Sequence, residues 1–125
     1  MIWNPAAEGA PRAAREALQL ARLRDTVRWV AERVVWYRER LPTTSVARLD
    51  GLAELPFTGK ADLREHYPFG LLAVSRPELA RIHASSGTKG KPTVVAYTAG
   101  DLEVWREVMA RVMVAAGAPP GDILH

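Results

Sequence analysis

Ser85-Ser86-Gly87-Thr88-Lys89-Gly90-Lys91-Pro92 separates two short runs, Ala80-Arg81-Ile82-His83-Ala84 and Thr93-Val94-Val95-Ala96-Tyr97. Both runs hold β-branched or aromatic residues and meet Ser, Gly and Pro at the loop, so they read as strands. Their separation predicts an antiparallel hairpin with the Gly-rich segment as its connection.

The connection carries chemistry. Gly87 and Gly90 permit positive φ and close approach of the backbone to a ligand. Ser85, Ser86, Thr88 and Thr93 offer hydroxyls, and Lys89 and Lys91 add charge. No Asp or Glu occurs from Leu79 to Gly100, whereas Arg81 does. Backbone N–H groups, hydroxyls and lysines without a local acid suit an oxyanion. A Walker A loop is excluded, because its second Gly would fall at Pro92. A dinucleotide fingerprint is excluded too, since its third Gly is missing and a strand follows. The residues alone leave two readings open, a phosphate loop and a Gly-rich turn with incidental basic charge.

Outward to the C-terminus, Thr98 and Asp101 have capping-box spacing. A helix is expected to about Ala116, with Gly117 as its stop. Only Glu103, Arg106, Glu107 and Arg111 are polar between Leu102 and Ala116, so most of this helix is apolar and belongs inside a larger body. Outward to the N-terminus, Arg12 to Arg40 lacks Pro and Gly. Leu20, Leu23, Val27, Val30, Val34, Tyr37 and Leu41 recur every three or four residues. They predict one long helix with a single apolar stripe, which packs on other protein or pairs in a coiled coil. Trp29 and Trp36 lie off that stripe. Pro42 ends the helix. Short helices are expected at 46–54 and 59–66, capped by Ser45 and Thr58.

The fold class is therefore α+β and predominantly helical: a long N-terminal helix, short helices, a small antiparallel hairpin and a C-terminal helix. Residues 1–11 read as a loose lead-in, 12–78 as a helical region and 79–125 as the start of a core.

Composition narrows the function. The 125 residues carry a net charge of +3 and no cysteine. That excludes disulfides and thiolate catalysis and fits a reducing cytoplasm. Neither an export signal nor a bilayer-spanning run is expected. Arginine supplies 14 of the 17 positive charges, and eight lie between Arg12 and Arg40 with four acids interleaved. This reads as a solvated helix face; no nucleic-acid or membrane partner is expected.

Ser85-Ser86-Gly87-Thr88-x-Gly90-Lys91-Pro92-Thr93 resembles the phosphate loop of the adenylate-forming superfamily. Its flanks are similar to the phenylacetate–coenzyme A ligase branch. They are Tyr37-Arg38-Glu39-Arg40-Leu41, Leu55-Pro56-Phe57-Thr58-Gly59-Lys60-Ala61-Asp62-Leu63-Arg64, Tyr67-Pro68-Phe69-Gly70-Leu71 and Arg81-Ile82-His83-Ala84. The resemblance implies a partial adenylate-forming fold, the N-terminal segment of an enzyme. That enzyme joins an aryl acid to ATP-Mg2+ as an acyl-adenylate and then passes the acyl group to coenzyme A. It places Ser85, Ser86, Gly87, Thr88, Lys89, Gly90, Lys91 and Thr93 at the ATP phosphates. Lys60 and His83 are the candidates for the substrate side. No catalytic residue or metal ligand is assignable, because the family's remaining motifs lie beyond residue 125. The chain alone is therefore expected not to complete the reaction. The family usually has Thr where Lys89 stands, which alters the donor geometry there. The alternative is an interaction module that self-associates, or completes a partner chain, through its apolar helices.

Overall fold

The computed structural model describes residues 1–86, 90–119 and 121–123. Five α-helices, two 3₁₀ segments and one two-stranded antiparallel sheet are found among them. The mixed class and the antiparallel hairpin agree with expectation. The long helix does not survive intact. It is α2 (Arg12–Arg33) and α3 (Val35–Arg40), separated by Val34 in extended conformation at φ −123° and ψ 111°. Val34 and Val35 are adjacent β-branched residues, which crowd a helical turn. The break leaves carbonyls at the end of α2 without helical partners. Arg38 supplies them: its Nε donates to Ala31 O at 2.9 Å and its Nη2 to Glu32 O at 2.6 Å.

The predicted stripe is nevertheless the inward face. Val27 and Val34 are 4% and 3% exposed, and Leu20, Leu23, Val30, Tyr37 and Leu41 are half-buried. The bend turns Trp36 inward as well, to 8% exposure, although it lay off the stripe of a continuous helix. Trp29 stays on the surface under the Arg33 guanidinium, whose carbon lies 3.8 Å from the ring centroid. α3 ends at Arg40, as a proline at 42 requires of the residue before it.

The expected caps are corrected. Ser45 opens no helix; its N–H donates to Thr43 Oγ1 at 3.0 Å. The segment after it is held extended because Arg24 takes the carbonyls of Val46 and Ala47, at 2.6 and 2.8 Å. Only then does a 3₁₀ segment run from Leu49 to Glu54. Thr58 is no cap either, since its Oγ1 pairs with Tyr37 Oη at 2.9 Å. The Asp62 carboxylate takes that part by accepting from the Gly59 N–H at 2.7 Å, ahead of α4 (Lys60–Glu65).

A second 3₁₀ turn, Arg76–Glu78, leads into β1 (Leu79–Ala84), which pairs with β2 (Val94–Thr98). Arg81 faces Tyr97, and His83 faces Val95, beyond an irregularity next to Leu79. α5 (Ala99–Ala115) follows directly. The predicted capping box forms: Asp101 N–H donates to Thr98 Oγ1 at 3.2 Å, and Thr98 N–H to Asp101 Oδ2 at 2.8 Å. At the other end Gly117 has φ +99°, its N–H reaches Val114 O, and the Ala118 N–H reaches Met113 O. These are the two bonds of a Schellman stop.

The lead-in is more ordered than expected. Asn4 caps α1 (Pro5–Glu8), and both Asn4 and Trp3 reach α5. Asn4 Nδ2 donates to Glu107 Oε1 at 2.7 Å and Trp3 Nε1 to Glu107 Oε2 at 2.9 Å. Arg111 adds a third donor at 2.7 Å. The bonds from Asn4 and Trp3, then that from Arg111, hold the Glu107 carboxyl down at about 2.

The core is small. The chain exposes 9267 Å2, against about 6,600 Å2 for a compact monomer of its mass. Val104, Val108 and Val112 form a stripe along α5 that is 64%, 46% and 56% exposed.

Two outcomes follow from these contacts. Arg38→Met should lower the urea midpoint, by about 1.5 kcal/mol in stability, because two carbonyls lose a charged donor; an unchanged midpoint would remove Arg38 from its capping role. The Glu107 contact is governed by pH. Its folded value lies below the unfolded carboxylate value of about 4.3, so its stabilisation is complete above that value and is lost as pH falls towards 2. From pH 5 to pH 2, thermal melts of the wild type should fall further than those of Glu107→Gln; equal losses contradict the assignment.

Candidate functional site

The predicted loop leaves the sheet at Ser85 and returns at Thr93. Gly87, Thr88 and Lys89 lie outside the described residues. The rest of the segment shows how its mouth is built. Beyond the last strand pair, Ala84 with Val94, Ser85 N–H donates to Thr93 O at 3.0 Å. Thr93 N–H donates back to Ser85 Oγ at 2.9 Å. The Ser85 hydroxyl thus closes the mouth as an acceptor, and no described residue accepts from its O–H. Thr93 Oγ1 is buried and has no hydrogen-bond partner among the described residues. An orphaned hydroxyl at the base of a loop fits a ligand oxygen or a water.

Gly90 has φ +116°, a conformation that strains any residue with a β-carbon, and nothing lies within 4 Å of where that carbon would stand. The backbone there is open to an approaching group. Ser86 and Lys91 are exposed. The Lys91 ammonium lies 5.6 Å from the centroid of the Tyr67 ring. The Tyr67–Leu71 flank therefore reaches the loop in space, a juxtaposition that spacing along the chain does not disclose.

The two substrate-side candidates stand elsewhere. His83 does not turn towards the loop. It meets Tyr97 and Trp105 edge-on, each at 5.3 Å between ring centroids, and Tyr97 stacks on Trp105 at the same distance. His83 thus belongs to the packing of the hairpin on α5. Lys60 opens α4 on an exposed turn and shares no described hydrogen bond with the hairpin. A concavity of about 410 Å3 beside residues 43–54 contains the paired Arg48 and Asp50 and none of the loop residues. No cluster of three His, Asp or Glu residues able to hold a metal occurs among the described residues. No helix there is long and apolar enough to cross a membrane.

The fold as a whole is similar to that of a solved coenzyme A ligase. A 2-hydroxyisobutyryl-CoA ligase, crystallised with 2-HIB-AMP and CoA, superposes over 97% of this chain with a TM-score of 0.83 and 31% identity. The fold is thus a portion of an acyl-CoA ligase fold, covering 28% of that structure. By sequence the relatives are phenylacetate–coenzyme A ligases. That of Thermus thermophilus is 53% identical over the whole chain, that of Aromatoleum evansii 49% over 87% of it, and that of Escherichia coli K12 44% over 88%. Over its own length the chain is thus similar to a portion of the phenylacetate–coenzyme A ligases. It spans less than a third of the length of these relatives, 29% of the first and 26% of the others. No family model matches the chain.

Closure of the mouth is open to measurement. Ser85→Ala should abolish the protection of the Thr93 amide against hydrogen exchange while leaving the Ala84–Val94 pair protected. Loss of protection along both strands together would show that Ser85 holds the hairpin as a whole.

Proposed function

We propose that this chain contributes the phosphate-binding loop of a phenylacetate–coenzyme A ligase, an enzyme that activates an aryl acid with ATP and passes the acyl group to coenzyme A. The observation that carries the proposal is the mouth of the hairpin. There, within four residues, lie an open glycine backbone at Gly90, a buried Thr93 hydroxyl without a partner among the described residues, and Lys91, whose ammonium lies near the Tyr67 ring. No acidic residue lies between Leu79 and Gly100 to compete with a phosphate. Lys91 supplies a point charge, while Thr93 and Ser85 supply O–H donors. In adenylation, charge develops on the phosphates as the carboxylate attacks the α-phosphorus, so donors held ready there lower the barrier. Ser86, Gly87, Thr88 and Lys89 complete the proposed loop. Magnesium belongs with the nucleotide in this reading, and its protein ligands lie outside this segment. Lys60 remains a proposed substrate-side residue.

A second reading has its own observation. The exposed stripe of Val104, Val108 and Val112, together with the excess surface of the chain, is apolar area that water disfavours. Further protein covers it, whether the remainder of the ligase or a second copy of this chain.

ATP-Mg2+ titrated into the isotope-labelled chain tests the first reading. Amide signals of Gly90, Lys91 and Thr93 should move together, with millimolar affinity, and Lys91→Ala should weaken binding at least about tenfold. A folded chain whose loop signals ignore ATP would refute it.

A further inference from the structure

Tyr67 stands beneath Lys91 on an anchored turn. Its N–H donates to Arg64 O at 3.3 Å, and the Gly70 N–H closes onto His66 O at 2.8 Å. A β-carbon at Gly70 would lie 2.9 Å from His66 Cβ and O, so only glycine lets this turn close so tightly. His66 in turn meets the buried Trp36 edge-on, 5.8 Å between ring centroids, and its Nδ1 pairs with Asp62 O at 2.9 Å. The phenol ring is thus tied through His66 to the core formed by α2 and α3. Lys91 belongs to the hairpin, a different part of the molecule, and its ammonium lies within the roughly 6 Å over which an aromatic face attracts a cation.

From this geometry we infer that Tyr67 is a positioning residue for Lys91, holding the ammonium at the mouth of the loop for a phosphate-bearing ligand. The inference rests on the proposed phosphate loop. A lysine has four rotatable side-chain bonds, and holding its end in one place is entropically costly. A carboxylate would hold it more firmly but would cancel its charge. An aromatic face restrains the ammonium and leaves the full positive charge for the ligand. The contact is weak, so a phosphate oxygen at hydrogen-bond distance displaces it readily. The ring therefore shortens the search without blocking the encounter.

The chain has three lysines, Lys60, Lys89 and Lys91, which makes the test direct. Reductive 13C-methylation gives each a separate signal and keeps its charge, with Lys91→Arg assigning one of them. The Lys91 methyl signal should be displaced by the ring current of Tyr67, whereas that of Lys60 should stand at the free value. Tyr67→Phe should keep the displacement and Tyr67→Leu should abolish it, with circular dichroism confirming that both variants fold. On titration with ATP-Mg2+ the affinity should fall about two- to fivefold in Tyr67→Leu and stay unchanged in Tyr67→Phe. A Lys91 signal at the free value in the wild type, unmoved by Tyr67→Leu, overturns the positioning role whatever ATP does. A displaced signal that ignores ATP in the wild type overturns the phosphate reading instead, and with it the role in binding. Should Tyr67→Leu itself unfold, the wild-type displacement and its retention in Tyr67→Phe still decide the contact.

Discussion

The break in the helix at Val34 sets the position of much that follows. A continuous helix from Arg12 to Arg40 would keep Trp36 off the apolar stripe and out of the core. The extended residue resets the phase, so that Trp36 enters the core just after Val34 does. A break of this kind is costly unless the freed carbonyls find donors. Arg38 answers that need from the next helix, reaching back to Ala31 and Glu32 with two arms of one planar group. Once buried, Trp36 offers its face to His66, and His66 orients the turn that places Tyr67 under Lys91. A backbone irregularity far along the chain from the loop thereby determines what the loop lysine touches.

Arginine and lysine divide the positive charge by chemistry. Guanidinium groups are planar forks and stack on rings. Arg24 and Arg38 hold backbone carbonyls, and Arg33 and Arg40 lie over Trp29 and Trp36. Arg12, Arg28 and Arg111 pair with acids one helical turn away. Six of the eight arginines from Arg12 to Arg40 thus make a contact within the chain, several of them on its exposed face. Two of the three lysines, Lys89 and Lys91, lie in the loop segment, where a compact ammonium rather than a planar fork suits the proposed phosphate contact.

What was legible in the sequence follows the range of the interactions. The capping box at Thr98 and Asp101, the glycine stop at 117, the two strands and the inward stripe are set by neighbours a few residues apart, and all are found. The failures are cases in which a distant group outbids a local one. Ser45 and Thr58 have the right side chains for caps, but Arg24 draws residues 46 and 47 out of helix and Tyr37 takes the Thr58 hydroxyl. The lead-in looked loose because its anchor, Glu107, lies about a hundred residues away. At the candidate site residue types alone gave the position of the loop between the strands and left its chemistry open between a phosphate loop and a Gly-rich turn. Tyr67 could not be read that way, since it was visible only as part of a flank, and its nearness to Lys91 arises from folding. His83, a substrate-side candidate by resemblance, packs on the α5 side with Tyr97, a surrounding that its place in the flank does not disclose.

Local specification has a consequence for binding strength. The mouth is shaped by near neighbours, Ser85 with Thr93 and Thr98 with Asp101, so its geometry does not wait for a large core. Its electrostatics do depend on surroundings. An ammonium and a phosphate at contact distance attract about four times more strongly at the effective dielectric near a protein surface than in bulk water. Here Ser86, Gly90 and Lys91 all face solvent. On the proposed reading, the same side chains in the same places would hold a phosphate weakly while bathed in water and firmly once further protein excludes it. In that proposal geometry and affinity separate at this loop: the hairpin would prescribe where the oxygen goes, and a cover over the exposed apolar surfaces would govern how tightly it stays.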